Sequence, residues 1–319
     1  MEFAISILKA LEKIRNPFLD FLFLTLTRLG EEVIVLGIIC IFYWCLNKNT
    51  AYRLGIIFFS SGIAVQNLKV AFAVQRPFII DPTLNPCQQA LPSATGYSFP
   101  SGHTQSATAL YGFFGISSAK RPIKAVCFSA VFLVAFSRLY LGVHTIFDVG
   151  VSFVITFALV LITNRFYPKF SSGKYDLQIA VTLAGVSVFT AVFSYLLAFS
   201  GHAETAQIYD CFKSAGAGLA FGIGFYTERK FIRFDPGKGS LLFHAVKLVI
   251  GVAGALLIKS LPKLIAENNL AVDFSRYFLA VIFVTVIYPL IFSAVSDKMF
   301  GKSELSENKQ KESNVNEEH

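Results

Sequence analysis

The sequence predicts an all-α fold, a polytopic transmembrane helical bundle, on three observations. The 319 residues are 54% apolar and only 15% charged, whereas a soluble domain carries about 25% charge. Mean hydropathy is +0.59, and 34 phenylalanines leave too little polar surface to cover a water-soluble globule. Apolar runs of near-membrane length recur along the chain, with basic residues gathered between them. Disorder, collagen and coiled coil are excluded by the same composition.

The elements follow in order. Phe3, Ile7, Leu8, Leu11 and Ile14 recur at helical spacing, with Lys9, Glu12 and Lys13 on the other face. Residues 3–15 therefore read as an interfacial amphipathic helix, stopped near Asn16-Pro17. The apolar stretch 18–29 is too short to cross about 30 Å of hydrocarbon at about 1.5 Å per residue. It is expected to lie partly in the membrane or to pack against the bundle. The first firm span is 31–46, opened by Glu31-Glu32, whose charges suit a helix N-terminus. Further spans are expected at 52–74, 103–118, 122–141, 145–166, 177–199, 209–227, 241–262 and 276–297. Residues 301–319 are polar and read as a disordered tail. The domain organisation is thus 1–30 interfacial, 31–174 core, 175–300 additional spans and 301–319 tail. No repeat of 20–50 residues is apparent, and the first residues lack the pattern of a cleaved signal peptide.

Charge orients the bundle. One set of connections holds Lys48, Arg53, Lys120, Arg121, Lys124, Arg165, Lys169, Lys174, Arg229, Lys230, Arg233 and Lys238. The opposite set holds Arg76, Lys259, Lys263 and Arg276. The positive-inside rule puts the first set in the cytoplasm and the long 77–102 segment outward. Lys9, Lys13 and Arg15 count against this scheme, which places the N-terminus outside unless 18–29 crosses. The net charge of +8 is thereby explained by orientation, with no nucleic-acid partner required. Of five cysteines, Cys40, Cys45 and Cys127 lie in apolar runs and read as small core residues. Cys87 and Cys211 fall outside them, where a disulfide is one reading.

Polar groups in such a chain are expensive, so their positions are informative. Three clusters fall at outward span ends: Lys69 with Arg76-Pro77, Pro100-Ser101-Gly102-His103, and Ser137-Arg138 with His144 and Asp148. Each alone has a plain structural reading. Lys69 could snorkel, Ser101 could cap a helix, and His144 could simply contact Asp148. Lys69 and Arg76 are expected on one helix face two turns apart, ended by Pro77. His144 and Asp148 are expected to face each other on a helix. Their conjunction at one membrane face suits a tetrahedral phosphate. Lys69, Arg76 and Arg138 supply charge and forked donors. Ser101 offers a hydroxyl, Gly102 a close backbone approach, and the helix starting near His103 its positive end. His144, oriented by Asp148, can attack phosphorus, and His103 can protonate the departing oxygen and then activate water. Asp148 is the only carboxylate in the clusters, whereas a two-metal phosphatase needs several. Metal-independent chemistry without a cofactor is expected.

The three motifs, KxxxxxxRP, PSGH and SRxxxxxHxxxD, resemble the three-part signature of the type 2 phosphatidic acid phosphatase superfamily. The resemblance covers residues 69–148 densely and extends to about 31–170. It implies a six-span helical phosphatase core, here followed by about three additional C-terminal spans. It also implies a phosphohistidine on His144, His103 as acid and base, and Lys69, Arg76, Ser101, Gly102 and Arg138 on the phosphate. The longer chain is similar to members such as glucose-6-phosphatase and sphingoid-base phosphate phosphatases. His202 and His244 lack partners at useful spacing and read as structural. Lys247, inside an apolar span, needs an interior partner or a snorkelling route.

The leading expectation is a membrane phosphatase acting on a phosphomonoester or pyrophosphate of a lipid. Alternatives are a lipid phosphotransferase, a phosphatase of a soluble sugar phosphate and, in a different class, a lipid transporter. A transport site belongs near the midplane, whereas these motifs sit at one face. A bacterial plasma membrane is the expected location, and nothing in the sequence sets an oligomeric state.

Overall fold

The N-terminal helix α1 (Glu2–Glu12) turns its apolar face, with Leu8 fully buried, onto the bundle. Asn16 caps α2 (Pro17–Arg28) by accepting from the Leu19 amide, with Pro17 at the first helical position, where a missing N–H costs nothing. The structure is a computed structural model and describes residues 2–265, 269–296 and 298–299. The expected tail, 301–319, lies outside the described residues.

After a bend of 41°, α2 continues into α3 (Glu32–Ile41), which runs on as a π segment to Leu46. The next elements are α4 (Lys48–Phe72), the short α5 (Pro77–Ile80), α6 (Gly102–Ala107) and α7 (Phe113–Ser117), the last two joined by a π segment. Then come α8 (Arg121–Tyr140), α9 (Ile146–Phe170), α10 (Asp176–Phe199), α11 (Tyr209–Thr227), α12 (Leu241–Ile265) and α13 (Leu270–Ile282). Among the described residues there is no strand. The chain is an integral membrane protein of helical-bundle architecture.

Among the described residues every expected span is helical, and six helices are long and apolar enough to cross a membrane by themselves. A seventh crossing arises when the bent pair α2–α3 is taken as one. The stretch 18–29, too short alone, is thus the upper half of that pair, packed against α8 through Phe23 on Phe136 and Tyr140. The stretch α6–α7 is short and mostly buried. Helix α11 is glycine-rich and interior, packed against α4, α10 and α13. A Cβ on Gly222 would meet the Ala180 carbonyl at 3.0 Å, and one on Gly224 would overlap the Thr285 side chain. Such a helix is held by close packing rather than by apolar side chains facing lipid.

The ends of the bundle are distinct. At one end Lys48 donates to Glu228 (2.7 Å) and Arg229 to Asp176 (2.8 Å). At the other, Lys9 pairs with Asp81 (2.7 Å), Asn85 donates to Glu12 (2.9 Å), and Arg15 donates to the Tyr140 carbonyl (3.0 Å). The N-terminus therefore shares a face with the 77–102 segment. Between the ends lies an aromatic core that includes Trp44, Phe113 and Phe225. Lys247 finds its interior partner in rings, with Nζ 4.6 Å from the centroid of Phe292. All five cysteines are free, so Cys87 and Cys211 form no disulfide.

Candidate active site

Helix α4 ends sooner than the motif spacing suggests. Ala73 takes a left-handed conformation (φ 46°), and its amide bonds back to the Lys69 carbonyl (2.9 Å). Arg76 is extended and precedes Pro77, which starts α5, because the residue before proline is disfavoured from helix. Lys69 and Arg76 thus do not share a helix face, contrary to the expectation from their spacing. They converge instead through the loop 95–97. Lys69 Nζ donates to the Tyr97 carbonyl (2.6 Å). Arg76 donates from Nε to Gly96 O (3.1 Å) and from Nη2 to Thr95 O (2.5 Å). Its Nη1 reaches Val143 O at 3.0 Å and His144 Nε2 at 3.0 Å.

That last contact fixes the imidazole. A guanidinium only donates, so Nε2 of His144 carries the lone pair and Nδ1 carries the proton. Nδ1 faces Asp148 Oδ2 at 3.4 Å and Ser98 Oγ at 3.5 Å. Asp148 is itself held by Ser98 Oγ (2.6 Å) and by the Thr145 amide (2.7 Å). His144 lies before the helix, not on it. Thr145 is the N-cap of α9, and Asp148 completes a capping box, so the pair meets across a helix start rather than along a helix face. Burial holds the His144 pKa well below the ordinary imidazole value, and Arg76, Arg138, Lys69 and His103 push it further down.

Ser101 is fully buried and caps α6, accepting from Thr104 N (3.4 Å) and Thr104 Oγ1 (3.1 Å). Its amide donates to the Asp148 carbonyl (3.0 Å), which ties the two motifs together. A Cβ on Gly102 would meet nothing within 4 Å, so the backbone there is open to close approach. His103 follows in the first turn of α6. Its carbonyl packs against Gly30 at the α2–α3 bend, where a Cβ would come to 2.8 Å of it. Arg138 is fully buried, and its Nη1 donates to Thr27 Oγ1 (2.9 Å). Its Nε and Nη2 have no hydrogen-bond partner among the described residues. Buried donors are nearly always satisfied, so two open ones on one guanidinium mark a place for acceptors. Among the described residues no three His, Cys, Asp or Glu side chains are grouped as metal ligands.

A cavity of about 460 Å³ joins Lys69, Arg76, Gly102, His103 and His144. It continues along Phe58, Phe59 and Ile63 of α4 to Ala217 of α11 and Val281 of α13. Glu31, Asp210, Lys213 and Tyr277 also line it. These four, with Ser98 and Thr27, are residues that the motif reading did not single out. For Glu31, Asp210 and Lys213 a charge at a span end was the signal available; Tyr277, Ser98 and Thr27 carried none.

A family model of the PAP2 superfamily matches residues 50–172. A second, for the transmembrane extension of PAP2 superfamily phosphatases, matches residues 212–298. The chain is similar to a probable sphingosine-1-phosphate phosphatase of Dictyostelium discoideum, at 28% identity over 63% of this chain and 51% of that protein. It is also similar to sphingosine-1-phosphate phosphatase 1 of Rattus norvegicus, at 27% identity over 78% of this chain and 58% of that one. The chain thus spans just over half the length of these relatives. Among solved structures, a PAP2 type phosphatidylglycerolphosphate phosphatase from Bacillus subtilis is 24% identical, with a TM-score of 0.45 over 53% of this chain and 86% of that one.

Proposed function

Because this chain belongs to the PAP2 superfamily, we propose that it is a membrane-embedded phosphatase hydrolysing a lipid phosphomonoester through a phosphohistidine on His144. The relatives named for sphingosine-1-phosphate make a sphingoid-type phosphate the leading substrate. The observation that carries the reading is the buried guanidinium of Arg138, with two open donors, on a residue whose carbonyl accepts from the amide of His144, the imidazole whose Nε2 lone pair faces Arg76.

In the first step Arg76, drawn to the phosphoryl oxygens, leaves Nε2 free. The Nε2–P bond forms as the P–O bond to the lipid breaks. His103 gives its proton to the departing alkoxide. Asp148 stabilises the positive charge that develops on His144. In the second step His103 takes a proton from water, whose oxygen attacks phosphorus as the N–P bond breaks. Inorganic phosphate leaves and His144 is neutral again. Lys69, Arg76, Arg138 and the open backbone at Gly102 hold the phosphoryl oxygens, and Ser101 orders the first turn that presents them. The three cations, with Asp148 engaged by Ser98, Thr145 and His144, support a mechanism that needs no metal. The excess of basic residues at the far end supports a site facing away from the cytoplasm.

Phosphate release from a sphingoid-base phosphate by purified protein, in excess chelator, tests this. His144→Ala should abolish turnover, and His103→Ala should lower it by about 10²–10⁴-fold. With a good leaving group such as nitrophenyl phosphate, whose departure needs no acid, acid-labile phosphate should be trapped on His103→Ala and not on His144→Ala. Phosphate trapped on His144→Ala would overturn the nucleophile, and activity lost to chelator and restored by magnesium would overturn the metal-free step.

A further inference from the structure

The cavity that joins the phosphate-facing cations has a second wall, and the C-terminal spans build it. Asp210 and Lys213 of α11 and Tyr277 of α13 line it together with the PAP2 motif residues. Asp210 lines the same cavity as the Lys69 ammonium. Its Oδ2 lies 4.0 Å from where a Cβ on Gly96 would be, and the Gly96 carbonyl is the one that orients Arg76 Nε. The carboxylate thus stands beside the phosphate cradle without belonging to it. It already holds an ammonium there: Lys213 Nζ donates to Asp210 Oδ1 at 2.7 Å, with both groups partly open.

A carboxylate in that place repels a plain phosphomonoester. It favours a substrate that carries a positive charge a few ångströms from its phosphate. Resting on the phosphatase reading above, we propose that Asp210 is a specificity-determining residue. It binds the ammonium of a lipid phosphate whose amine sits on the carbon next to the phosphate-bearing carbon. Lys213, on a long flexible stem, yields its place as that ammonium arrives. The apolar stretch at Phe58, Phe59 and Val281 takes the start of the single chain. The C-terminal spans are therefore part of the substrate site, and the selection of a zwitterionic lipid phosphate resides in them.

The full chain in detergent, with and without Asp210→Asn, tests this on two substrates: a 2-amino alkyl phosphate and the same chain lacking the amine. The quantity read is the ratio of the two kcat/KM values. It should favour the amine in the parent and fall about tenfold in Asp210→Asn, the effect of one charge-assisted hydrogen bond. A ratio unchanged by the substitution, whether both rates fall together or neither does, overturns the proposal. Equal loss on both substrates would assign Asp210 to Lys69 alone, and a lower melting temperature with the ratio kept would assign it to the α11 N-terminus. Failure of the parent to hydrolyse either lipid would instead overturn the phosphatase reading itself, and is seen without the variant.

Discussion

At His144 the two ring nitrogens meet opposite demands. For the proposed attack Nε2 needs a lone pair, and the donor-only guanidinium of Arg76 holds it as an acceptor. Nδ1 must keep a proton, and Asp148 faces it. The surrounding cations and burial add a third demand, that the ring stay neutral. This has a consequence for stability. A histidine whose folded pKa lies below the unfolded value of about 6.5 binds its proton more readily when the chain opens. Above that pH both states are neutral and the group contributes no slope. As pH falls below it, the unfolded state gains a proton that the folded state refuses, and stability is lost. The apparent melting temperature in detergent should therefore fall more steeply between pH 7 and 5 in the parent than in His144→Asn. Equal slopes would mean that the imidazole titrates normally in the fold. The sequence made the His144–Asp148 partnership legible through its spacing, though not its geometry, because a capping box brings the same two residues together as a helix turn does. Ser98, which grips Asp148 at 2.6 Å, was not legible. A single serine in a loop of small and polar residues carries no periodicity.

At the scale of elements, what could be read was every helix whose apolar run is long, and what could not was how helices end and bend. Nothing in the run preceding Arg76 announces that Ala73 takes a left-handed turn. That turn is what frees Arg76 to reach the loop 95–97. The α2–α3 bend is a second case. Gly30 sits there with its backbone against His103 O and the Val134 side chain, so a Cβ would come to 2.8 Å of the first and 2.6 Å of the second. The bend seats Thr27 on Arg138 and the first turn of α6 beside it. Gly30→Ala must displace either α6 or α8. Overpacking of this kind costs about 1–3 kcal/mol. The substitution should lower the melting temperature and also kcat/KM for lipid phosphate, since His103 rides on the displaced turn. A melting temperature and rate equal to the parent's would show that the bend tolerates the extra methyl, and that α2–α3 does not set the position of His103.

For the whole molecule, the decisive property is which end faces the cytoplasm. Two ends are distinguished by their contacts, one by Lys48–Glu228 and Arg229–Asp176, the other by the site loop and the N-terminal helix. The loop sequences alone separate the basic residues into the same two sets, because charge follows connections whatever the packing. What they left open was the side on which Lys9, Lys13 and Arg15 fall. The contacts put Lys9 and Arg15 on the site face, where their charge opposes the positive-inside bias. Lys9 is neutralised by Asp81 at 2.7 Å, and Arg15 is fastened to the carbonyls of Tyr140 and Asn85. The majority of the basic residues in the connections still lies at the other end, so that end should be cytoplasmic and the candidate site should open on the opposite side. Single cysteines test this in a background whose five native cysteines are replaced, four of them being buried. Ser93 and Lys120 are both exposed and lie at opposite ends. Ser93→Cys should react with an impermeant thiol reagent on intact cells or on sealed vesicles of external orientation. Lys120→Cys should react only once the membrane is opened. The reverse pattern would place the site in the cytoplasm. Lipid phosphate would then reach the cavity from the cytoplasmic leaflet, and the N-terminal charges would have outweighed the loops.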